Sequence, residues 1–156
     1  MNKPRIGLVG VGLMGHGIAL NIARKGYALA VLEHPGNQPL DELRALGVTS
    51  AATVRALARQ VEGLILCVTG PPQVEAVLLG EQGARAALRP GTAVIDCSTA
   101  IPASTESVAR AVAASSGATA RSTSSVLTSL RATAARRSSR LLWERRGSTF
   151  LMRSSE

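Results

Sequence analysis

Aromatic side chains are almost missing from this sequence: one Phe, one Trp and one Tyr in 156 residues. Apolar residues still make up 46% of the chain, so the core must be aliphatic, built from Val, Leu, Ile and Ala. Cysteine is nearly as scarce. Cys67 and Cys97 each end an apolar run, with no C-x-x-C spacing and no Cys/His cluster beside them. That pattern argues against metal ligation and points to buried, reduced thiols. No apolar run approaches the roughly 18 residues of a membrane span, and the N-terminus lacks a charged-then-apolar leader pattern. A cytoplasmic protein without a membrane partner is the expectation. The length suits one domain with a proper core and little more.

Neutral charge balance is lacking too, but only in one part of the chain. Residues 1–117 hold 10 Lys/Arg and 8 Asp/Glu, a surplus of +2, whereas residues 118–156 hold 8 Arg and 2 Glu, a surplus of +6. The basic character that would suggest nucleic acid therefore belongs to the tail. There only Trp143 and Phe150 could stack on bases, and no nucleic-acid module is legible, so nucleic acid is not expected as a partner.

What is abundant is alternation. RIGLVG (5–10) reads as a short buried strand, and Leu13 to Lys25 as a helix with Leu13, Met14, Ile18 and Ile22 near one face and Gly26 as its stop. ALAVLE (28–33) is a second strand, followed by the turn-rich HPGNQP, a short helix in LDELRALG and a third strand about Val48. Ser50 is placed to cap a helix in AATVRALARQ. GLILCV (63–68) reads as a strand covered on both faces, and PPQVEAVLLG as a helix with proline in its first turn. ARAALRPG suggests another short helical piece, TAVIDCS (92–98) a fifth strand, and Pro102 starts a helix to about Ser116. Strand–helix alternation of this kind predicts an α/β fold, an open parallel sheet with right-handed crossovers.

Between the first strand and helix, Gly10-Val-Gly12-Leu-Met-Gly15 spells G-x-G-x-x-G. In that context Gly10 permits the tight turn, Gly12 lets backbone approach a diphosphate, and Gly15 lets helix and sheet pack closely. The helix N-terminus that follows offers free N–H groups and the positive end of its dipole to phosphate. Glu33, 21 positions after Gly12 at the end of the second strand, can accept from the hydroxyls of the adenine ribose and repel a 2′-phosphate. NAD is thus favoured, with NADP as the alternative because His34 could face a phosphate. The phosphate-loop pattern G-x-x-x-x-G-K-[ST] is absent.

Three stretches in order, GLVGVGLMGHGIALNIARKGY, LCVTGPPQVEAVLLGEQG and LRPGTAVIDCSTAIPAST, resemble the β-hydroxyacid dehydrogenases of the 3-hydroxyisobutyrate dehydrogenase group, which share their N-terminal domain with the 6-phosphogluconate dehydrogenases. The resemblance covers about residues 4–117. It implies a Rossmann-like, doubly wound parallel sheet over 1–117 that holds NAD or NADP, with the family's helical second domain absent and a basic Ser/Thr/Arg-rich tail over 118–156. Matched positions of the cofactor half are Gly10, Gly12, Leu13, Met14 and Gly15 of the glycine loop, Val68 and Thr69 along the cofactor, and Thr99 near the nicotinamide ribose. Asn21 matches the family signature and equally suits a local role in its helix; Ser98 and Thr99 also suit a helix cap. The family acts on a small hydroxyacid, in dimers, with a lysine as acid/base. This chain has only Lys3 and Lys25, neither in that motif, and His16 and His34 are poor substitutes, so no catalytic residue is expected here.

After Gly117 the resemblance stops. The last 39 residues carry 9 Ser, 5 Thr and 8 Arg with no clean period, a composition that suggests poor order. A shift of reading frame near Gly117 is the expectation from this composition, with a divergent tail as the alternative. The sequence thus reads as the NAD(P)-binding part of an oxidoreductase, inactive by itself, or as a stand-alone dinucleotide-binding module.

Overall fold

The computed structural model describes residues 3–99, 102–116, 119–122, 141–146 and 149–154. Two units are distinguished, Met1–Ser122 and Thr123–Glu156. The first contains strands β1 (Ile6–Val9), β2 (Leu29–Leu32), β3 (Thr49–Ala51), β4 (Gly63–Leu66), β5 (Ala93–Asp96) and β6 (Thr119–Ser122). Its helices are α1 (Leu13–Arg24), α2 (Asp41–Ala45), α3 (Val54–Arg59), α4 (Pro71–Leu79) and α5 (Pro102–Ser116). All six strands run parallel in the order β3-β2-β1-β4-β5-β6, the doubly wound arrangement expected from the alternation.

Burial on both faces explains why the strands read as nearly continuous apolar runs. Successive side chains leave opposite faces of a strand, so β1 sends Leu8 to one core and Val9 to the other. One face gathers Leu64 and Leu66 of β4 with Leu57 of α3, Val74 and Leu78 of α4, and Val108 and Val112 of α5. The opposite face gathers Leu8, Leu29 and Val31 with Ala19 of α1 and Leu43 of α2. Among the described residues no aromatic side chain belongs to either core, in keeping with the composition.

Four details depart from the sequence reading. Ser50 does not cap α3; it lies in β3, and the cap is Thr53, whose hydroxyl accepts from the Ala56 N–H at 3.1 Å. The strand next to Val48 starts one residue later, at Thr49. ARAALRPG forms turns rather than a helix; Ala84, Ala87 and Leu88 are buried, so its apolar spacing reflects packing of a loop onto the core. Beyond Gly117 a sixth strand, β6, pairs Thr119 to Ser122 with Ala93 to Asp96. A polar T-A-R-S stretch shows no strand pattern in the sequence; what places it is backbone pairing to the open edge of the sheet.

In the second unit β7 (Leu141–Arg146) and β8 (Thr149–Ser154) form an antiparallel pair, where composition had suggested poor order. Residues 123–140 of that expectation lie outside the described residues. Among the described residues no helix is long and apolar enough to cross a membrane.

Candidate functional site

In a sheet of this order the winding direction reverses between β1 and β4, and the loops leaving their C-terminal ends diverge to opposite faces, opening a crevice. A cleft of about 360 Å³ lies there, lined by Gly10, Gly12, Val68 and Thr69 among others. A neighbouring cleft of about 550 Å³ is lined by Glu33, Asp41 and Arg44, and His34 and Asn37 border both. The structure therefore brings together four of the residues singled out in the sequence and sets Glu33 next door.

The three glycines of the loop have different physical reasons to be glycine. Gly10 has φ +92°, and a Cβ on it would sit 2.2 Å from the Cys67 carbonyl oxygen. A Cβ on Gly15 would sit 1.8 Å from the Gly10 carbonyl oxygen, so α1 can approach β1 only without a side chain there. Gly12 is unlike both: its φ is −74°, and a Cβ would meet nothing within 4 Å. The protein's own described atoms give no reason for glycine at this position. Gly12 lines the cleft and is also the N-cap of α1, which it leaves without a side-chain cap for the N–H groups of the first turn. Beside it Leu13 and Met14 are 85% and 75% exposed, the two most exposed large apolar side chains described.

Glu33 is exposed, and its Oε1 accepts from the Ser50 hydroxyl at 2.6 Å, while its N–H donates to the Ala51 carbonyl at 2.9 Å. The carboxylate thus leaves β2 braced by β3, with Oε2 carrying no side-chain partner in the hydrogen bonds seen. His34 points its Nδ1 at the Gly36 N–H, 3.0 Å away, and is engaged in its own loop. On the other side of the crevice the Val68 N–H donates to the Ser98 hydroxyl at 3.0 Å, and the Ser98 N–H donates to the buried Asp96 carboxylate at 2.8 Å. Ser98 therefore ties the turn after β5 to the turn after β4. Thr99 is exposed and lines neither cleft. Asn21 donates to the Gly17 carbonyl at 2.9 Å, one turn back in α1, which is the local role the sequence left open.

Cys67 and Cys97 are free thiols, half-buried rather than fully buried, because both follow the last residue of a strand at the crevice end of the sheet. Burial pushes the Cys67 thiol above its usual range, and the nearby Asp96 carboxylate adds to it. Burial does the same for Cys97, with Cys67 and then Asp96 contributing. Both thiols are held protonated at neutral pH, the opposite of what a nucleophile or metal ligand needs. Among the described residues no group of three or more His, Cys, Asp or Glu could hold a metal ion.

The lysines lie away from the crevice. Lys25 caps the C-terminal end of α1, and Lys3 donates to its carbonyl and stands 5.0 Å over the Tyr27 ring. A helix that starts at the crevice end of a parallel sheet ends at the other, so both residues sit at the opposite end of the strands.

Asn37 lies in the turn-rich HPGNQP stretch, where nothing in the sequence marks it. Its side-chain amide bridges β2 and the glycine loop, and no local pattern announces a contact 26 residues away in sequence.

Residues 5–124 match the family described as the NAD binding domain of 6-phosphogluconate dehydrogenase. The 2-hydroxy-3-oxopropionate reductase of Escherichia coli is 36% identical over 108 residues, covering 69% of this chain and 36% of that protein. An L-threonate dehydrogenase of Escherichia coli is 37% identical over 110 residues, with the same two coverages of 69% and 36%. The crystal structure of a 3-hydroxyisobutyrate dehydrogenase from Salmonella typhimurium superposes with a TM-score of 0.66 at 31% identity, covering 74% of this chain and 40% of that one. The chain spans about a third of the length of the curated relatives it matches, 36% in each of these two.

Proposed function

Since the chain belongs to the family of NAD-binding domains found in 6-phosphogluconate dehydrogenase, we propose that it is the cofactor half of a hydroxyacid dehydrogenase, with NAD seated across the β1–β4 crevice. The observation that carries this reading is Gly12: a glycine that neither backbone conformation nor neighbouring atoms require, at the uncapped start of a 12-residue helix, under a cleft. A diphosphate laid over it explains all three features, because it needs close approach to the backbone, free N–H groups and the positive dipole end.

The remaining roles follow from position. Gly10, Gly12, Leu13, Met14 and Gly15 shape the diphosphate loop, with Leu13 and Met14 covered by the ligand. Glu33 accepts from the adenine ribose through the oxygen that Ser50 leaves free. Val68 and Thr69, in the cleft, flank the nicotinamide half; a place for Thr99 near its ribose rests on the family resemblance alone, since Thr99 lines neither cleft. When bound, NAD+ supplies the hydride acceptor. The proton on a substrate hydroxyl needs an acid/base within hydrogen-bond reach, and Lys3 and Lys25 stand at the wrong end of the sheet for that. The chain therefore binds the dinucleotide without turning over a hydroxyacid such as 3-hydroxyisobutyrate.

Calorimetric titration of the whole chain with NAD and NADP, alongside an absorbance assay for NADH formation with 3-hydroxyisobutyrate, tests this. The expected result is saturable NAD binding, weaker NADP binding and no turnover. No binding of either dinucleotide removes the reading, and turnover removes its second half.

The brace on Glu33 adds a sharper expectation. Glu33→Gln removes the charge that repels a 2′-phosphate and is expected to lower the preference for NAD over NADP about tenfold. Ser50→Ala frees the carboxylate to rotate and is expected to lower the same ratio about threefold, with Ser50→Thr restoring it. An unchanged ratio in Glu33→Gln would show that this carboxylate does not read the ribose.

A further inference from the structure

Two loops meet at the adenosine end of the crevice: the glycine loop after β1 and the 33–38 loop after β2. We infer that Asn37 is the positioning residue that joins them, so that ribose and diphosphate are recognised by one preformed unit rather than by two independent loops. The inference rests on the dinucleotide reading above and adds to it a residue that neither carries the charge nor belongs to the glycine motif.

The geometry is specific. The Asn37 side-chain Nδ2 donates to the Leu32 carbonyl at the end of β2, 2.8 Å away. Its Oδ1 accepts from the N–H of Val11, inside the glycine motif, at 3.3 Å. The next residue closes the link from the other side, the Gln38 N–H donating to the Val11 carbonyl at 2.8 Å. Val11 is fully buried, so without this loop both its backbone groups would be left unpaired inside the protein. Turning the amide over would set its NH₂ against the Val11 N–H and its oxygen against the Leu32 carbonyl, so only one orientation satisfies both partners.

Two consequences follow for binding. The Val11 N–H is spent on Asn37, which leaves diphosphate recognition to the N–H groups from Gly12 onward. Glu33 sits one residue after the carbonyl that Asn37 holds, so its carboxylate inherits a fixed spacing from the glycine loop. A ligand touching both loops gains from this preorganisation; a ligand touching only one does not.

That difference supplies the test. ADP-ribose spans both loops, whereas adenosine reaches only the ribose side. In the whole chain, Asn37→Ala is expected to weaken ADP-ribose about tenfold, the usual net strength of two neutral hydrogen bonds, while adenosine binding measured by ligand-observed NMR changes less than about twofold. Asn37→Ser, the second variant, adds no charge beside the diphosphate but is too short to span Leu32 and Val11. It is expected to fold as the unsubstituted chain does and to show the same selective loss. Glu33→Gln should also cost less in the Asn37→Ala background than alone, since the two residues act as a unit.

If ADP-ribose and adenosine weaken together in both variants, Asn37 supports the fold and does not join the loops. If neither weakens, the bridge is irrelevant to binding and the inference is overturned. If the unsubstituted chain binds no ADP-ribose, the dinucleotide reading itself fails and takes this one with it.

Discussion

Gly12→Ser is expected to leave the melting temperature unchanged or slightly raised while costing NAD affinity at least about thirtyfold. The two effects separate because the position has no structural reason to be glycine: φ is −74° and nothing lies within 4 Å of a Cβ. Serine is a good N-cap, and its hydroxyl would accept from an N–H in the first turn of α1, stabilising the helix by up to about 1 kcal/mol. That hydroxyl would stand where the diphosphate has to lie and would occupy the donors it needs. Thermal unfolding by circular dichroism and an NAD titration on the same sample check both halves. Unchanged NAD affinity would mean that the ligand does not pass over Gly12, and the proposed function would lose its main support.

Gly10→Ala and Gly15→Ala should behave in the opposite way, losing stability first and binding only as a consequence. An alanine at residue 10 would be strained by φ +92° and would press its Cβ to 2.2 Å from the Cys67 carbonyl. At residue 15 the Cβ would come within 1.8 Å of the Gly10 carbonyl oxygen. Both clashes are against backbone, which cannot rotate out of the way, so β1, α1 and the turn after β4 would have to separate. Each substitution is expected to cost about 3 kcal/mol or more, a fall in melting temperature of roughly 10 °C for a domain of this size. A fall of less than about 3 °C for Gly15→Ala would show that α1 does not pack on β1 as closely as described.

These two experiments test separately the roles that G-x-G-x-x-G assigns to its three glycines. The contacts agree with the structural part of that reading: Gly10 and Gly15 are crowded by the protein's own backbone, while Gly12 faces open space and is free for the ligand role proposed for it. Asn37 makes a related point from the other direction, since its partners Leu32 and Val11 are brought beside it only when β1 and β2 pair.

Local sequence determined a great deal here. Short apolar runs bounded by glycine, alternating with helical spacing, are enough to specify β1 to β5 and the principal helices, because strand and helix periods differ and parallel strands buried on both faces leave few polar positions. The same pattern put the glycine motif directly after β1 and Glu33 directly after β2, where the structure has them. Tertiary structure alone decided the rest: that Ser50 lies in β3 and braces Glu33, that residues 84–91 coil over the core, and that the polar Thr119–Ser122 closes the sheet. Each depends on a neighbour remote along the chain, unlike the Thr53 cap of α3, whose partner Ala56 is three residues on. A hydroxyl will bond whichever partner the packed strands put within reach, and a strand at a sheet edge is held by backbone groups that every sequence carries alike.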